Sequence, residues 1–161
     1  MKIFSIVGWS GSGKTTLITR LIEIFKAGQR RVIAVKSTHA GYGLQPEGKD
    51  TARFLAAGAD EAYLVAGGEL LRMTRLGSEQ DLLAALNAEL GQDDIVLLEG
   101  FHAPGIPVIE VEDPRREKPM KFQPEKLAAV ITSAGDGHGR PSFHPDQIAA
   151  IGAFMEAYHG K

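Results

Sequence analysis

Gly8-Trp9-Ser10-Gly11-Ser12-Gly13-Lys14-Thr15 follows the pattern G-x-x-x-x-G-K-[ST]. It lies between the apolar run Ile3-Phe4-Ser5-Ile6-Val7 and the helical spacing Leu17, Ile18, Leu21, Ile22, Phe25. Strand, glycine-rich turn and helix form the context in which this pattern cradles phosphate. Glycine lets the backbone approach a ligand closely, successive N–H groups form an anion nest, and the helix adds its positive dipole end. Gly8 to Thr16 are therefore the expected nucleotide-binding residues. Lys14 would supply a mobile charge for the β- and γ-phosphates, and the Thr15 hydroxyl would enter a Mg²⁺ shell. Trp9 is the unusual letter, expected to pack beside the loop or to stack on a base or partner.

Strand and helix patterns alternate along the rest of the chain. Residues 2–7 read as a strand and residues 14–27 as a helix stopped at Gly28 in the C′ position. Residues 31–36 read as a buried strand, 37–48 as a loop, 49–57 as a short helix and 61–66 as a strand. Gly67-Gly68 signals a hairpin returning through residues 70–75. Ser78 to Asp81 reads as a capping box before a helix that ends at Gly91. Apolar strands are expected at 94–98, 107–111 and 127–132, and a final helix at 145–158 with Pro145 at N1. The fold class is α/β: a three-layer P-loop NTPase fold with a mostly parallel sheet, helices on both faces and at least one antiparallel hairpin strand. The 161 residues read as one domain. Asp113 to Glu125, with three prolines and several cations, reads as a mobile surface loop.

A P-loop needs a second element to hold Mg²⁺ or position water. Glu99, at the tip of the apolar strand ending Leu97-Leu98, is the natural candidate, with Gly100 giving the backbone room to turn. Lys14 and Glu99 are the expected catalytic pair, and Thr15 and Glu99 the expected Mg²⁺ contacts. A second cluster, Lys36, His39, Lys49, Asp50 and Arg53, would line the rim if its loop opens at the same strand tips. Asp50 and Arg53, three apart, share a helix face. His102 reads as a polar loop residue. Thr132, Ser133 and Asp136 occupy the place of a base-reading loop, but no N/T-K-x-D segment marks guanine.

Composition narrows the function classes. A net charge of −2 argues against general affinity for nucleic acid or anionic membrane. The chain has no cysteine, which suits a reducing cytoplasm and excludes thiolate metal sites. Its five histidines are scattered, so no fixed protein metal site is expected. The first apolar run is too short for a signal peptide, and no stretch approaches a membrane span.

Taken together, several segments resemble one family. Gly-Trp-Ser-Gly-Ser-Gly-Lys-Thr-Thr at 8–16, Val-Lys-Ser-Thr-His at 35–39, Pro-Glu-Gly-Lys-Asp-Thr-Ala-Arg at 46–53, Ala-Gly-Ala at 57–59 and Val-Leu-Leu-Glu-Gly-Phe at 96–101 are similar to molybdopterin-guanine dinucleotide biosynthesis protein B (MobB). The resemblance implies a dimeric, GTP-binding, weakly GTP-hydrolysing accessory protein. Its partner would be the guanylyltransferase MobA, which attaches GMP to the pterin cofactor, and the pterin itself is a second expected partner. The family's P-loop carries over onto Gly8 to Thr16, its strand-tip Glu onto Glu99, and its Gly-Lys-Asp segment onto Gly48, Lys49 and Asp50. Many relatives carry paired histidines and an aspartate where this chain has Ser37, His39, Ala40 and Gly41. Two other readings fit the same P-loop: an ATP-dependent small-molecule kinase with Arg115-Arg116 as a lid over the phosphates, and a pure interaction switch. The basic loop 115–121 would instead dock an acidic partner or the phosphate of the pterin cofactor.

Overall fold

Residues 2–7 are mostly apolar and β-branched, and in the computed structural model they form the first strand, β1 (Lys2–Val7). The structure describes residues 1–37, 48–74, 76–77, 79–113, 115 and 118–159. These group into two compact units, residues 1–37 with 90–161, and residues 38–89.

In the first unit, β1 leads through the glycine turn into helix α1 (Lys14–Ala27). Strand β2 (Val32–Lys36) follows. The unit resumes with β5 (Ile95–Glu99), β6 (Val108–Val111) and β7 (Leu127–Ile131). A two-residue strand β8 (Ser142–Phe143) and helix α4 (Ile148–Ala157) close it. The six strands run in the order β2-β5-β1-β6-β7-β8, every pairing parallel. Side-chain alternation sorts the sheet into two faces. Phe4, Ile6, Leu97, Ile109 and Ile131 pack with Leu17, Leu21 and Phe25 of α1 and Ile151 and Met155 of α4. Val7, Val108, Leu127 and Val130 form a second cluster, against which Met120 and Phe122 pack.

The second unit holds α2 (Gly48–Ala56), the hairpin β3 (Glu61–Ala66) and β4 (Glu69–Thr74), and α3 (Glu79–Glu89). Gly67 and Gly68 make the turn, with φ of 57° and 82°. The hairpin is where the sequence places it, yet it forms a two-stranded sheet of its own rather than adding an antiparallel strand to the six. Arg72 bonds Glu61 across the strands and Glu89 on α3.

Three other expectations need correction. Residues 32–36 form an edge strand and stay partly exposed rather than buried, because only β5 pairs with them. The last helix begins at Ile148, not at Pro145: Gln147 N–H closes a turn onto the His144 carbonyl, leaving Pro145 outside. At the end of α1 the left-handed residue is Gln29 (φ 58°), not Gly28. Arg30 N–H returns to Phe25 O and Gln29 N–H to Lys26 O, a Schellman pattern built on glutamine. The capping residue Ser78 lies outside the described residues.

Candidate nucleotide site

The site stands at the C-terminal edge of the parallel sheet, where β1 and β5 end side by side with Ile6 opposite Glu99. Ligands of open α/β sheets bind at this edge. Gly8 has a positive φ of 143°, and a Cβ there would lie 2.4 Å from the Val111 carbonyl oxygen. Only glycine lets the loop leave β1 so close to the tip of β6. Gly13, at φ 97°, enters α1 without a side-chain cap, so the helix keeps its first N–H groups for the loop side.

Four candidate side chains gather here. The Thr15 hydroxyl lies 3.0 and 2.9 Å from the two Glu99 carboxylate oxygens. Lys36 Nζ lies 3.2 Å from Glu99 Oε1. Lys14 Nζ donates to the Trp9 carbonyl at 2.8 Å. Ser10, Gly11, Gly13, Lys14, Thr15, Thr16, Lys36 and Glu99 line a cavity of about 330 Å³. Burial pushes the Lys14 ammonium below its ordinary pKa; Glu99 opposes this, and the neighbouring Lys121 and Lys36 add to it. Ser12 Oγ is buried without a hydrogen-bond partner, a donor left for a ligand at the loop. A larger cavity of about 680 Å³ reaches Pro107, Leu127 and Tyr158, where β6 and β7 begin, away from the P-loop.

The residues fit Mg²⁺. Thr15 and Glu99 offer a hydroxyl and a carboxylate, the hard oxygen donors that ion takes. No group of three or more His, Asp or Glu side chains gathers as a metal cage among the described residues. Thr15 and Glu99 thus suit an ion that draws its other ligands from phosphate and water.

The second motif divides. Lys36 joins the site through Glu99. Asp50 and Arg53 pair with each other at 3.4 Å on the exposed face of α2, in the other unit. His39 lies outside the described residues, and so do Ala40 and Gly41. His102 stands edge-on to Phe122, ring centroids 4.9 Å apart. Thr132 and Ser133 line a small cavity of about 230 Å³ with Phe143, His144 and Gln147 at the ends of β7 and β8. Asp136 instead accepts the His138 N–H at 2.8 Å and closes its own turn.

The sequence reading missed the attachment of the basic loop. Glu110, on β6 opposite Val7, is 1% exposed. Its carboxylate accepts the backbone N–H of Lys121 at 2.6 Å and of Phe122 at 3.1 Å. Trp9 Nε1 donates to the Pro119 carbonyl at 2.8 Å. Residues 118–122 are therefore pinned beside the P-loop rather than a mobile surface loop. The signal available was a carboxylate inside an otherwise apolar strand, Val108-Ile109-Glu110-Val111. A buried carboxylate requires donors, and here they come from a segment later in the chain.

Parallel sheet, glycine turn and strand-tip carboxylate together define a P-loop α/β protein of the nucleotide-binding class. The family model for Molybdopterin guanine dinucleotide synthesis protein B, MobB, matches residues 3–133. The chain belongs to the MobB family. It is 32% identical over 155 residues to a molybdopterin-guanine dinucleotide biosynthesis adapter protein of Haemophilus influenzae, covering 96% of this chain and 87% of the relative. A probable adapter protein of the same description from Bacillus subtilis is 31% identical over 167 residues, covering 99% of this chain and 94% of the relative. The crystal structure of Bacillus subtilis MobB superposes with a TM-score of 0.70 at 28% identity, each chain covered in full. Membership ties the chain to molybdopterin guanine dinucleotide synthesis.

Proposed function

We propose that this chain is an adapter protein of molybdopterin guanine dinucleotide synthesis that binds GTP with Mg²⁺ and hydrolyses it slowly, in support of a MobA-like guanylyltransferase. The observation that carries the nucleotide chemistry is the Thr15–Glu99 pair beside Lys14 at the mouth of the glycine loop. Lys14 neutralises the β,γ-phosphates, and the loop N–H groups hold their oxygens. Thr15 and Glu99 would hold Mg²⁺, which would spread the negative charge of the phosphates. Glu99, anchored by Lys36, orients the attacking water. Slow turnover is expected because, among the described residues, no arginine lines the P-loop cavity. The small cavity at Thr132 and Ser133, on the same edge of the sheet, suits the base.

The partner surface is the hairpin. Tyr63, Val65, Leu70 and Leu71 are large apolar or aromatic side chains left exposed on β3 and β4, Val65 at 73%. A second copy of the chain is the occupant we propose, giving a homodimer. A cytoplasmic location and pterin binding complete the reading. No helix of the described residues is long and apolar enough to cross a membrane.

The kinase reading needs a free lid arginine over the phosphates. Of the two lid arginines, Arg115 bonds back to Asp113 through its Nε at 3.1 Å, and Arg116 lies outside the described residues. Titration with GTP and with ATP, each with Mg²⁺, followed by product analysis, separates the two. Selective GTP binding with slow GDP release is expected. Preference for ATP, or phosphate appearing on a small acceptor, overturns the adapter reading.

A further inference from the structure

The loop pinned by Glu110 carries two cations to the P-loop. Lys118 Nζ lies 4.7 Å and Lys121 Nζ 4.8 Å from the centre of the Trp9 ring. The carbonyl of the same tryptophan receives the Lys14 ammonium. One residue of the loop therefore gathers three ammonium groups, with Lys36 a fourth nearby on Glu99. Glu99 is shared among Lys36 and Thr15, and Glu110 is buried and occupied by two backbone N–H groups. Like charges held this close repel unless an anion joins them. Burial is the main cause of the lowered proton affinity of Lys14, and the charges of Lys121 and Lys36 add to it.

The attachment is built for position rather than for burial. Glu110 faces the P-loop's entry residue Val7 across the β1–β6 pairing, and the Val111 carbonyl lies where a Cβ on Gly8 would fall. The same strand tip thus shapes the loop's first turn and fixes the backbone of Lys121. Met120 and Phe122 pack into the cluster of Val7, Val108, Leu127 and Val130, while Lys121 between them stays exposed. Cation–π contact holds both ammonium groups over the Trp9 ring, and each carries three N–H donors with which to meet a ligand.

We propose that Lys121, with Lys118 beside it, is a second phosphate-binding cation of the nucleotide site, delivered from a distant loop by the Glu110 hook and the Trp9 ring. It binds the nucleotide's phosphate chain alongside Lys14 as a charge partner of the bound state, so affinity rather than turnover reads its effect. The inference rests on the triphosphate reading above. It assigns the basic loop to the nucleotide rather than to a separate phosphorylated ligand.

Calorimetric titration of the full chain with GTP and Mg²⁺ tests it in three forms: unmodified, Lys121→Met and Lys121→Arg. Lys121→Met should weaken GTP about tenfold, and Lys121→Arg should keep affinity within about threefold of the unmodified chain. Thermal midpoints should match in all three, since Lys121 is exposed. Equal GTP affinity in Lys121→Met overturns the inference while leaving the P-loop reading intact, and assigns the loop to another ligand. Weakened binding that arginine fails to restore also overturns it, because charge is then not the cause. An unmodified chain that binds no nucleoside triphosphate removes the P-loop reading and this inference together.

Discussion

The six-stranded sheet and the hairpin of the second unit both carry large apolar side chains and leave them in opposite conditions. β5 and β7 are apolar runs, and Val96, Leu97, Leu98 and Ile131 are fully buried between layers. β3 and β4 also carry Leu, Val and Tyr, interleaved with Glu61, Glu69 and Arg72, and there Val65 and Leu70 stand 73% and 65% exposed. A two-stranded ribbon buries too little to be stable by itself, so it depends on what covers it. The difference teaches where each region's packing lies: the sheet buries its apolar residues on itself, while the hairpin buries Ala62 and Met73 and leaves Val65 and Leu70 at the surface.

The sharpest break in that comparison is a core truncation. Leu97→Ala should cost about 3 to 5 kcal/mol of unfolding free energy, read as a lower urea midpoint at unchanged slope. A loss below about 1 kcal/mol would mean β5 is not the packed centre described here. The next effect is confined to the ligand. Lys14→Ala should lower GTP affinity about a hundredfold by calorimetry, with the fold intact, and unchanged affinity would remove the central claim. Glu99→Gln should slow GTP hydrolysis about tenfold while changing binding less. Equal hydrolysis would take Glu99 out of the mechanism. On the hairpin, the paired substitution Val65→Ser and Leu70→Ser should change unfolding by less than about 1 kcal/mol. It should shift light-scattering mass toward the monomer. A mass unaffected by both changes would assign the apolar face to some other partner.

The smallest effect is one of pH. Burial lowers the pKa of Lys14, so its ammonium is lost earlier than in an ordinary lysine of pKa 10.5. The charged form binds phosphate, so GTP affinity should fall as pH rises through the lowered value, starting within the alkaline range below 10.5. Calorimetry between neutral and alkaline pH reads this directly, and a flat profile up to 10.5 would place the amine in water.

What was legible in the sequence was local. The glycine turn, the strand before it, α1 and the carboxylate at the tip of β5 are each written within a few neighbouring residues, and the structure places them as read. β8 was invisible because two residues carry no period. The start of α4 was misread because Pro145 is as good in a turn as at N1, and the bond from Gln147 to His144 decided between them. Gln29 took the left-handed position because the Schellman hydrogen bonds at the end of α1 fall one residue beyond Gly28. The loop 118–122 was misread for a different reason. Its order depends on Glu110 and Trp9, and neither contact has a local spacing to reveal it.

Trp9 is the single tryptophan of the chain. Its indole N–H is donated to Pro119 and its ring lies against two ammonium groups. The intrinsic tryptophan emission of the whole protein therefore originates at one point, the junction of glycine turn and basic loop. A change in its wavelength or quenching reports the opening or closing of that junction, and only secondarily the unfolding of the sheet beneath it.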